Sequence, residues 1–251
     1  MKAKLAAKQP VFGLSVMIPS PQIVEMAGAL GFDWVLLDFE HGAISVETLQ
    51  AMVMAAESSG ITALARPSGH SEQEITRLLD AGVLGLQVPH VNTAEEAAEI
   101  VAAVKFHPQG RRGLAVGTRA ARYGIGLSQS EYVKQANRET LVCVQLEELQ
   151  ALDNLEAICA VDGVDVVFVG PSDLSQALGV PGRHDAPILQ ETMRKAFSRI
   201  ISCGKLAGTT GEAASIRMYR DCGVSYFYTH VTRILRTGAA EFFKGVRDSA
   251  Q

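Results

Sequence analysis

The chain has 251 residues, of which 47% are hydrophobic and 20% are charged, and its formal net charge is −4. This composition is typical of a globular protein with a full core, and the length suits one large domain. No run of lysine and arginine indicates nucleic-acid binding, and no apolar run approaches the roughly 18 residues that cross a membrane. The sequence therefore predicts a protein that binds neither nucleic acid nor membrane.

The start of the chain and its cysteines bear on the cellular compartment. Residues 1–10 contain three lysines but no apolar stretch after them, which argues against a signal peptide. The four cysteines are widely spaced and form no C-x-x-C motif, so we expect reduced thiols. Together these features predict a cytoplasmic protein.

Short apolar runs recur about every 20 to 30 residues, with helical patterns between them. Several runs are continuous, as expected for parallel strands that are buried on both faces. An open doubly wound sheet would alternate in the same way, but eight strand–helix units predict a single (β/α)8 TIM barrel over residues 1–251. The predicted strands are Val11–Met17, Trp34–Asp38, Thr62–Arg66, Leu84–Val88, Leu141–Glu147, Val164–Gly170, Leu206–Thr210 and Tyr226–Val231.

Helix candidates fill the intervals between these strands. Several begin at a residue that can cap a helix, and residues 71–74 form a Ser-Glu-Gln-Glu capping-box pattern. One segment differs, because Phe106–Gln135 holds many glycines and arginines with little apolar periodicity, which predicts a long functional loop. The predicted helices are Ser20–Ala29, Ser45–Ser58, Ser71–Ala81, Thr93–Val104, Asp153–Ala160, Ala186–Ser202, Gly211–Cys222 and Ala239–Arg247.

Polar residues follow strands two and three, where a barrel places its catalytic groups. Asp38, Glu40 and His41 come at the end of strand two. They form either a polar loop before the next helix or a proton-transfer histidine whose tautomer a carboxylate fixes. Arg66 closes strand three and forms either a structural ion pair or two parallel hydrogen bonds to a substrate carboxylate.

A second acidic pair follows strands five and six. Gln145 and Glu147 share one face of strand five by alternation. Ser172 and Asp173 follow a Gly-Pro turn after strand six, where they could also cap the next helix. Because magnesium-type sites use one or two carboxylates, Glu147 and Asp173 are a candidate site for a hard cation.

Three other residues give weaker signals. His90 and His230 follow strands four and eight, so each is a candidate to face the barrel mouth. Asp80 lies near a helix C-terminus, where a carboxylate is unfavourable, which suggests a role elsewhere, such as in a neighbouring subunit's site. The sequence has no P-loop and no G-x-G-x-x-G motif, so nucleotide binding is not indicated.

Five segments of the sequence, in their order along the chain, resemble segments of the HpcH/HpaI aldolases. The resemblance extends from Phe12 to about Gly238 and is more specific for the family than for the substrate. It implies a barrel of the phosphoenolpyruvate/pyruvate-domain type, a C-terminal helix exchanged between subunits, a hexamer and a Mg, Mn or Co ion. The matching segments are Phe32–Gly42, Ala65–Pro67, Val88–Ala97, Val144–Glu147 and Phe168–Ser175.

The resemblance also implies roles for individual residues. Glu147 and Asp173 match the metal ligands, and Arg66 matches the arginine that contacts the keto acid and its enolate oxygen. His41 matches the proton-transfer histidine, and Asp38 matches its acidic neighbour.

Other positions follow from the same comparison of motifs. Gln145 and Ser172 match positions that line the pyruvate pocket, and Asp80 matches an acidic residue near a subunit boundary. Two places depart from the family pattern: Val231 stands where an aspartate is frequent, and the Gly117–Gly124 loop differs. Both departures fall where an acceptor could bind, so they bear on the substrate.

The expected activity is that of a class II aldolase, which interconverts a 4-hydroxy-2-oxo acid with pyruvate and an aldehyde. The metal would act as a Lewis acid, and His41 or a metal-bound water that it orients would remove a proton from C3 of pyruvate. No lysine ends a strand, which argues against a Schiff base. The alternatives are a C–C lyase acting on a CoA thioester, which would need the arginines of residues 111–122, and a non-catalytic metabolite-binding barrel.

Overall fold

The computed structural model describes residues 1–248. Eight parallel strands close into a barrel in which each strand pairs with the next and β8 pairs with β1. The predicted (β/α)8 barrel is therefore confirmed, and the open sheet is excluded. The strands are β1 (Val11–Val16), β2 (Trp34–Asp38), β3 (Thr62–Arg66), β4 (Gly85–Val88), β5 (Leu141–Leu146), β6 (Val166–Val169), β7 (Leu206–Thr210) and β8 (Tyr226–His230).

The helices agree with most of the predicted intervals, and the disagreements are at polar segments. The tail helix begins at Val231, eight residues before the predicted Ala239, because β8 passes into it without a loop. The helices are α1 (Lys2–Ala6), α2 (Pro21–Ala29), α3 (Val46–Ser58), α4 (Glu72–Asp80), α5 (Ala94–Val104), α6 (Gln129–Glu139), α7 (Leu149–Asp153), α8 (Leu155–Cys159), α9 (Pro171–Ala177), α10 (Pro187–Ser202), α11 (Ala213–Asp221) and α12 (Val231–Asp248).

The predicted long loop over Phe106–Gln135 was wrong in its second part. A helix, α6, begins at Gln129 and is capped by Ser128, whose side chain and Glu131 form a reciprocal capping box. This helix buries little apolar surface, since only Tyr132 of its residues is buried, so apolar periodicity could not reveal it. The Ser-x-x-Glu spacing was the available signal.

Strand alternation sends every second side chain into the barrel. Its interior cluster includes four aromatic side chains, with Trp34 and Tyr226 packed at 4.4 Å between ring centroids and Phe168 stacked on Tyr228 at 5.2 Å. Leu5 of α1 belongs to the same cluster, so α1 closes the end of the barrel where the strands begin. The interior is thus a packed core, and only the end where the strands finish is lined by polar groups.

A substitution at Gly13 of β1 can test this packing. A Cβ added at Gly13 would lie 2.3 Å from Cε2 of Trp34, which is fully buried and cannot move aside. We expect Gly13→Ala to lower the free energy of unfolding by about 1–3 kcal/mol because it overpacks the core. Gly69→Ala is the matched control, since nothing lies within 4 Å of a Cβ there. Urea unfolding measures both, and equal stabilities of the two variants would contradict the packing described.

One surface element is unusual in its composition. Helix α12 leaves large apolar side chains exposed, including Leu235, Phe242 and Phe243, of which Phe242 is 65% exposed. Among residues 1–248, no helix is both long enough and apolar enough to cross a membrane.

Candidate active site

The polar end of the barrel is built by the same alternation as its core. In β2, Trp34 and Leu36 face the interior, so Asp38, two residues further on, faces the mouth. The same spacing brings Arg66 to the end of β3, Glu147 just beyond β5, and His230 to the end of β8. The register aligns Asp38 with Arg66 on neighbouring strands. These candidate site residues therefore converge at the carboxyl ends of the strands, where TIM barrels place catalytic groups.

The segment after β2 is a tight turn organised by Asp38. One carboxylate oxygen, Oδ1, accepts the backbone N–H groups of Glu40 at 3.1 Å and His41 at 3.3 Å. Gly42 completes the turn, because a Cβ there would lie 2.2 Å from the carbonyl oxygen of Asp38. The turn directs Glu40 inward and leaves the His41 side chain 59% exposed at the rim.

Arg66 lies between two carboxylates. Its Nε donates to Asp38 Oδ1 at 3.0 Å, its Nη2 donates to Asp38 Oδ2 at 2.6 Å, and its Nη1 is 2.9 Å from Glu40 Oε2. Burial opposes the charge of Arg66, but the hydrogen bond and charge of Asp38 raise its pKa above the ordinary value. A guanidinium has five N–H groups, of which two donate to Asp38, while Nη1 forms an ion pair with Glu40, so at least two N–H groups remain for a substrate oxygen.

These contacts show the structural part played by Arg66 and by Asp38. Arg66 forms a structural ion pair and still keeps donors for a ligand. The carboxylate of Asp38 pairs with Arg66 and with the backbone of His41, and so it fixes the position of His41 without fixing its imidazole. The acidic side chain nearest the imidazole is Glu40, with Oε2 at 3.7 Å from Nε2 of His41.

Glu147 is a buried carboxylate, with 2% of the residue exposed. Its Oε2 accepts Nε2 of Gln145 at 2.5 Å, and its Oε1 accepts the backbone N–H of His90 at 2.9 Å. Burial raises the pKa of Glu147, and the nearby charge of Asp173 adds to this rise against the hydrogen bonds. The two carboxylates therefore lie near enough for the charge of Asp173 to disfavour ionisation of Glu147.

Gln145 is held from below by a buried chain of hydrogen bonds. Tyr226 Oη donates to Gln87 Oε1 at 3.1 Å, and Gln87 Nε2 donates to Gln145 Oε1 at 2.7 Å. Gln145 then donates to Glu147. The amide of Gln145, which was predicted to line the pyruvate pocket, therefore positions the Glu147 carboxylate. One of its two N–H groups is not used in these hydrogen bonds.

We expect Gln145→Leu to weaken divalent-metal affinity by about 10–100-fold, because partners that orient a metal ligand typically contribute that much. Gln150→Leu is the control, since Gln150 is exposed on α7. Isothermal titration with Mn²⁺ measures both variants. Wild-type affinity in Gln145→Leu would show that this hydrogen bond does not organise the ligand.

Asp173 lies in the first turn of α9, and Ser172 precedes it. The alternative that these residues cap the helix is not supported, because Gly170 occupies the cap position and α9 has no side-chain cap hydrogen bond. A Cβ at Gly170 would lie 3.0 Å from Oε2 of Glu147, so glycine leaves that carboxylate oxygen accessible from β6. Ser172 and Asp173 are both exposed to solvent at the mouth.

The charges at the mouth suit a divalent cation. Four carboxylates, those of Asp38, Glu40, Glu147 and Asp173, face a single arginine, Arg66, which gives a net charge of −3 with neutral histidines. A divalent cation would reduce this to −1, and oxygen donors are those that Mg²⁺ and Mn²⁺ prefer. Within residues 1–248 no three His, Cys, Asp or Glu side chains cluster as a complete ligand set. The residues therefore fit a cation held by two carboxylates, with its other positions open to water and substrate.

Sequence reasoning missed two contacts of this site. Glu40 joins Arg66 to His90, whose Nε2 lies 3.2 Å from Glu40 Oε1. His90 has a positive φ of 55°, a strained conformation for a residue with a side chain, and this geometry aims its N–H at Glu147. Burial opposes protonation of His90, but the charges of Glu147 and Glu40 raise its pKa. In the sequence, the only indication of these contacts was that Glu40 follows strand two and His90 follows strand four.

Asp80 is not brought to this mouth within the chain. It lies at the end of α4, near the opposite end of the barrel, and accepts Nη2 of Arg112 at 2.7 Å. The Gly117–Gly124 segment, which was expected where an acceptor could bind, lies in the loop between α5 and α6 and is at that end as well. Arg111 pairs with Glu72 and Glu99, and Arg119 pairs with Glu57, so most of the arginines proposed for a CoA phosphate are already neutralised.

Comparisons with known proteins agree with this geometry. The family model for HpcH/HpaI aldolase/citrate lyase matches residues 12–219. A hydroxypyruvate/pyruvate aldolase from Cupriavidus necator is 39% identical over 240 residues, covering 95% of this chain and 88% of that protein. A 5-keto-4-deoxy-D-glucarate aldolase from Escherichia coli O157:H7 is 37% identical over 226 residues, covering 90% of this chain and 87% of that protein.

Solved structures share the architecture over the whole chain. The crystal structure of an HpcH/HpaI aldolase from Desulfitobacterium hafniense superposes with a TM-score of 0.92 at 28% identity, covering 98% of this chain and 96% of that one. The citrate synthase SbnG superposes with a TM-score of 0.87 at 28% identity, covering 100% and 99% of the two chains. By sequence and fold, the chain belongs to the HpcH/HpaI aldolase/citrate lyase family and is a carbon–carbon lyase.

Proposed function

We propose that this protein is a class II aldolase that reversibly cleaves a 4-hydroxy-2-oxo acid into pyruvate and an aldehyde. The observation that supports this most directly is the pairing of a buried carboxylate, Glu147, with Asp173 at the mouth that also holds Arg66. Together they offer a cation site and a guanidinium with two free donors, which match the carboxylate and keto oxygens of a 2-oxo acid. The aldolase names of the two relatives support the same reaction class.

Glu147 and Asp173 would hold the divalent cation, with Mg, Mn or Co as the candidates. When bound, the cation would polarise the keto oxygen as a Lewis acid. Gln145 fixes the carboxylate of Glu147, and the backbone N–H of His90 satisfies its other oxygen. Ser172, at the exposed edge of the site, lies where the carboxylate end of pyruvate would enter. These residues prepare the donor half of the reaction.

Arg66 would stabilise the negative charge that develops on the enolate oxygen of pyruvate. Asp38 holds its guanidinium in one orientation through two hydrogen bonds, so no reorganisation is needed as the charge forms. Such prearranged donors typically contribute a large share of a rate enhancement. In the cleavage direction, the same arrangement stabilises the pyruvate enolate that forms when the C–C bond breaks and the aldehyde is released.

His41 would move the proton at C3, directly or through a water molecule. Its exposed imidazole is not tied to a strong partner, since the nearest carboxylate oxygen, Glu40 Oε2, is 3.7 Å away. We expect His41→Ala to slow proton transfer by about 10²-fold while leaving metal affinity unchanged. Pyruvate proton exchange and Mn²⁺ titration on the same preparation check this. Loss of metal binding would assign His41 to the cation site instead.

The proposed activity is tested by cleavage of a series of 4-hydroxy-2-oxo acids, with pyruvate detected by lactate dehydrogenase. We expect EDTA to abolish turnover and Mg, Mn or Co to restore it. Borohydride should not inactivate the enzyme in the presence of pyruvate, because none of the lysines follows the carboxyl end of a strand. Turnover that persists in EDTA, or trapping by borohydride, would contradict the metal-dependent mechanism.

The assembly we propose is a hexamer in which α12 is exchanged between subunits. The exposed Leu235, Phe242 and Phe243 support a contact with a second copy of the chain. Asp80, near the opposite end of the barrel, would then lie at a subunit boundary and serve a neighbouring site. Light scattering of the wild type and of Phe242→Asp checks the assembly.

We also place the enzyme in the cytoplasm, which its four free cysteines support.

A further inference from the structure

A second cavity lies beside the active-site mouth and has no role in the chemistry described so far. It has a volume of about 560 Å³ and opens between the carboxyl ends of β6, β7 and β8. Its lining includes Ser172, the neighbour of the candidate metal ligand Asp173, so the cavity adjoins the mouth. The polar side chains of its lining include those of Ser172, His184, Asp185, Glu212, His230 and Arg233.

Arg233 is the unusual member of this lining. Its Nη1 is buried and has no hydrogen-bond partner, while the residue as a whole is partly exposed and lines the cavity. No ion pair to Arg233 forms among residues 1–248. Leaving a guanidinium N–H buried without an acceptor is unfavourable. The acidic residues of the cavity do not supply one, because Glu212 lies 3.5 Å from Arg236 and Asp185 is exposed. The guanidinium is therefore available to an anionic ligand.

The surroundings of Arg233 also favour an anion. Arg233 lies in the first turn of α12, a helix of 18 residues whose positive end points toward the strand ends. In TIM barrels the loops after strands seven and eight frequently form an anion site of this kind. His230 lines the same cavity, and burial together with the charges of Arg233 and Arg66 lowers its pKa to about 4. It is thus a neutral imidazole near neutral pH and can donate one hydrogen bond.

His230 also links the cavity to the catalytic centre. The charges of both Arg233 and Arg66 act on His230, so it lies near both guanidinium groups. A ligand whose reacting carbon lies near Arg66 and Asp173 could therefore place a distal group beside Arg233. In the proposed reaction pyruvate occupies the metal site, and the other reactant is the aldehyde acceptor.

We propose that Arg233, with His230 and the amino-terminal end of α12, forms a subsite for an anionic group on the acceptor aldehyde. The inference rests on the proposed aldolase function and deepens it by naming the acceptor class. The guanidinium pairs with carboxylate or phosphate through two parallel hydrogen bonds, which a neutral acceptor cannot form. Arg233 thereby selects acceptors that carry a negative charge.

The test compares three two-carbon aldehydes at saturating pyruvate: glycolaldehyde, glyoxylate and glycolaldehyde phosphate. We expect Arg233→Gln to lower kcat/KM about 10-fold or more for one anionic acceptor, mainly through KM, and to leave glycolaldehyde within about 2-fold. The acceptor with the larger loss identifies carboxylate or phosphate as the group bound. Arg233→Lys should recover part of the loss. Arg217→Gln, an exposed arginine on the neighbouring α11, should behave as wild type.

Two measurements separate this inference from the proposed function. Pyruvate proton exchange should be the same in Arg233→Gln and wild type, because the donor half-reaction does not involve the subsite. If the wild type catalyses no aldol reaction, titration with inorganic phosphate still tests the subsite, with weaker binding expected in Arg233→Gln than in Arg217→Gln. Equal phosphate binding by these variants, or an equal loss with neutral and anionic acceptors, would overturn the proposal.

Discussion

Replacing Glu147 by glutamine is expected to abolish metal binding and to lower kcat/KM by about 10³-fold, since a Lewis-acid cation contributes several kcal/mol of transition-state stabilisation. The carboxylate is 2% exposed and is oriented by Gln145 and by the backbone of His90. Asp173→Asn should have a similar effect, because Asp173 is the second carboxylate at this position. Mn²⁺ titration and steady-state kinetics measure both variants.

The fold of the Glu147 variant should survive. Burial and the charge of Asp173 disfavour the ionised form of Glu147, so in the absence of metal glutamine should be at least as stable as glutamate. Glu148→Gln is the matched control, because that carboxylate is 46% exposed and lies 3.2 Å from Nδ1 of the rim histidine, His90. Asp173→Asn with full activity, or Glu148→Gln with lost metal binding, would show that the metal site has been assigned to the wrong residues.

Replacing Arg66 is expected to have two separable consequences. Arg66→Met leaves Asp38 and Glu40 buried without their cation, and breaking a buried ion pair in this way typically costs about 3–5 kcal/mol of folding free energy. Arg66→Lys keeps the charge but cannot reproduce the two hydrogen bonds to Asp38. It should remain folded and lose about 10²–10³-fold in kcat, the usual effect of removing an oxyanion donor.

A double variant distinguishes the structural role of Arg66 from the catalytic one. Asp38→Asn combined with Arg66→Met removes both buried charges of the pair, so we expect stability to recover relative to Arg66→Met alone. Activity should not recover, because the donor to the enolate oxygen is still absent. Thermal unfolding and pyruvate proton exchange measure the two effects. Wild-type kcat in Arg66→Lys would remove Arg66 from the proposed chemistry.

The barrel could be predicted from the sequence because its signal is repeated along the chain. Eight apolar runs separated by capped helices predicted every strand to within two residues at either end. The same alternation that buries Trp34 and Leu36 predicts that Asp38 faces the mouth, and the same argument places Glu147 beside Gln145. Residues in register on strands are therefore predictable from spacing.

The remaining contacts depend on geometry that spacing does not encode. Glu40 and His90 meet because two loops fold toward each other, one through a turn that requires Gly42 and one through the positive φ of His90. Helix α6 was missed because it packs a polar face outward and buries little. The unpaired guanidinium of Arg233 becomes visible only when α12 is seen to begin directly at the end of β8.

The central claim is that Glu147 and Asp173 hold a cation that lets this site form the enolate of pyruvate. The most direct measurement is the exchange of pyruvate methyl protons for deuterium, followed by NMR, which needs no knowledge of the aldehyde. We expect exchange with added Mg, Mn or Co, none in EDTA, and none with metal in Glu147→Gln. Exchange that persists in EDTA or in Glu147→Gln, or no exchange by the wild type with any of these metals, would contradict the account.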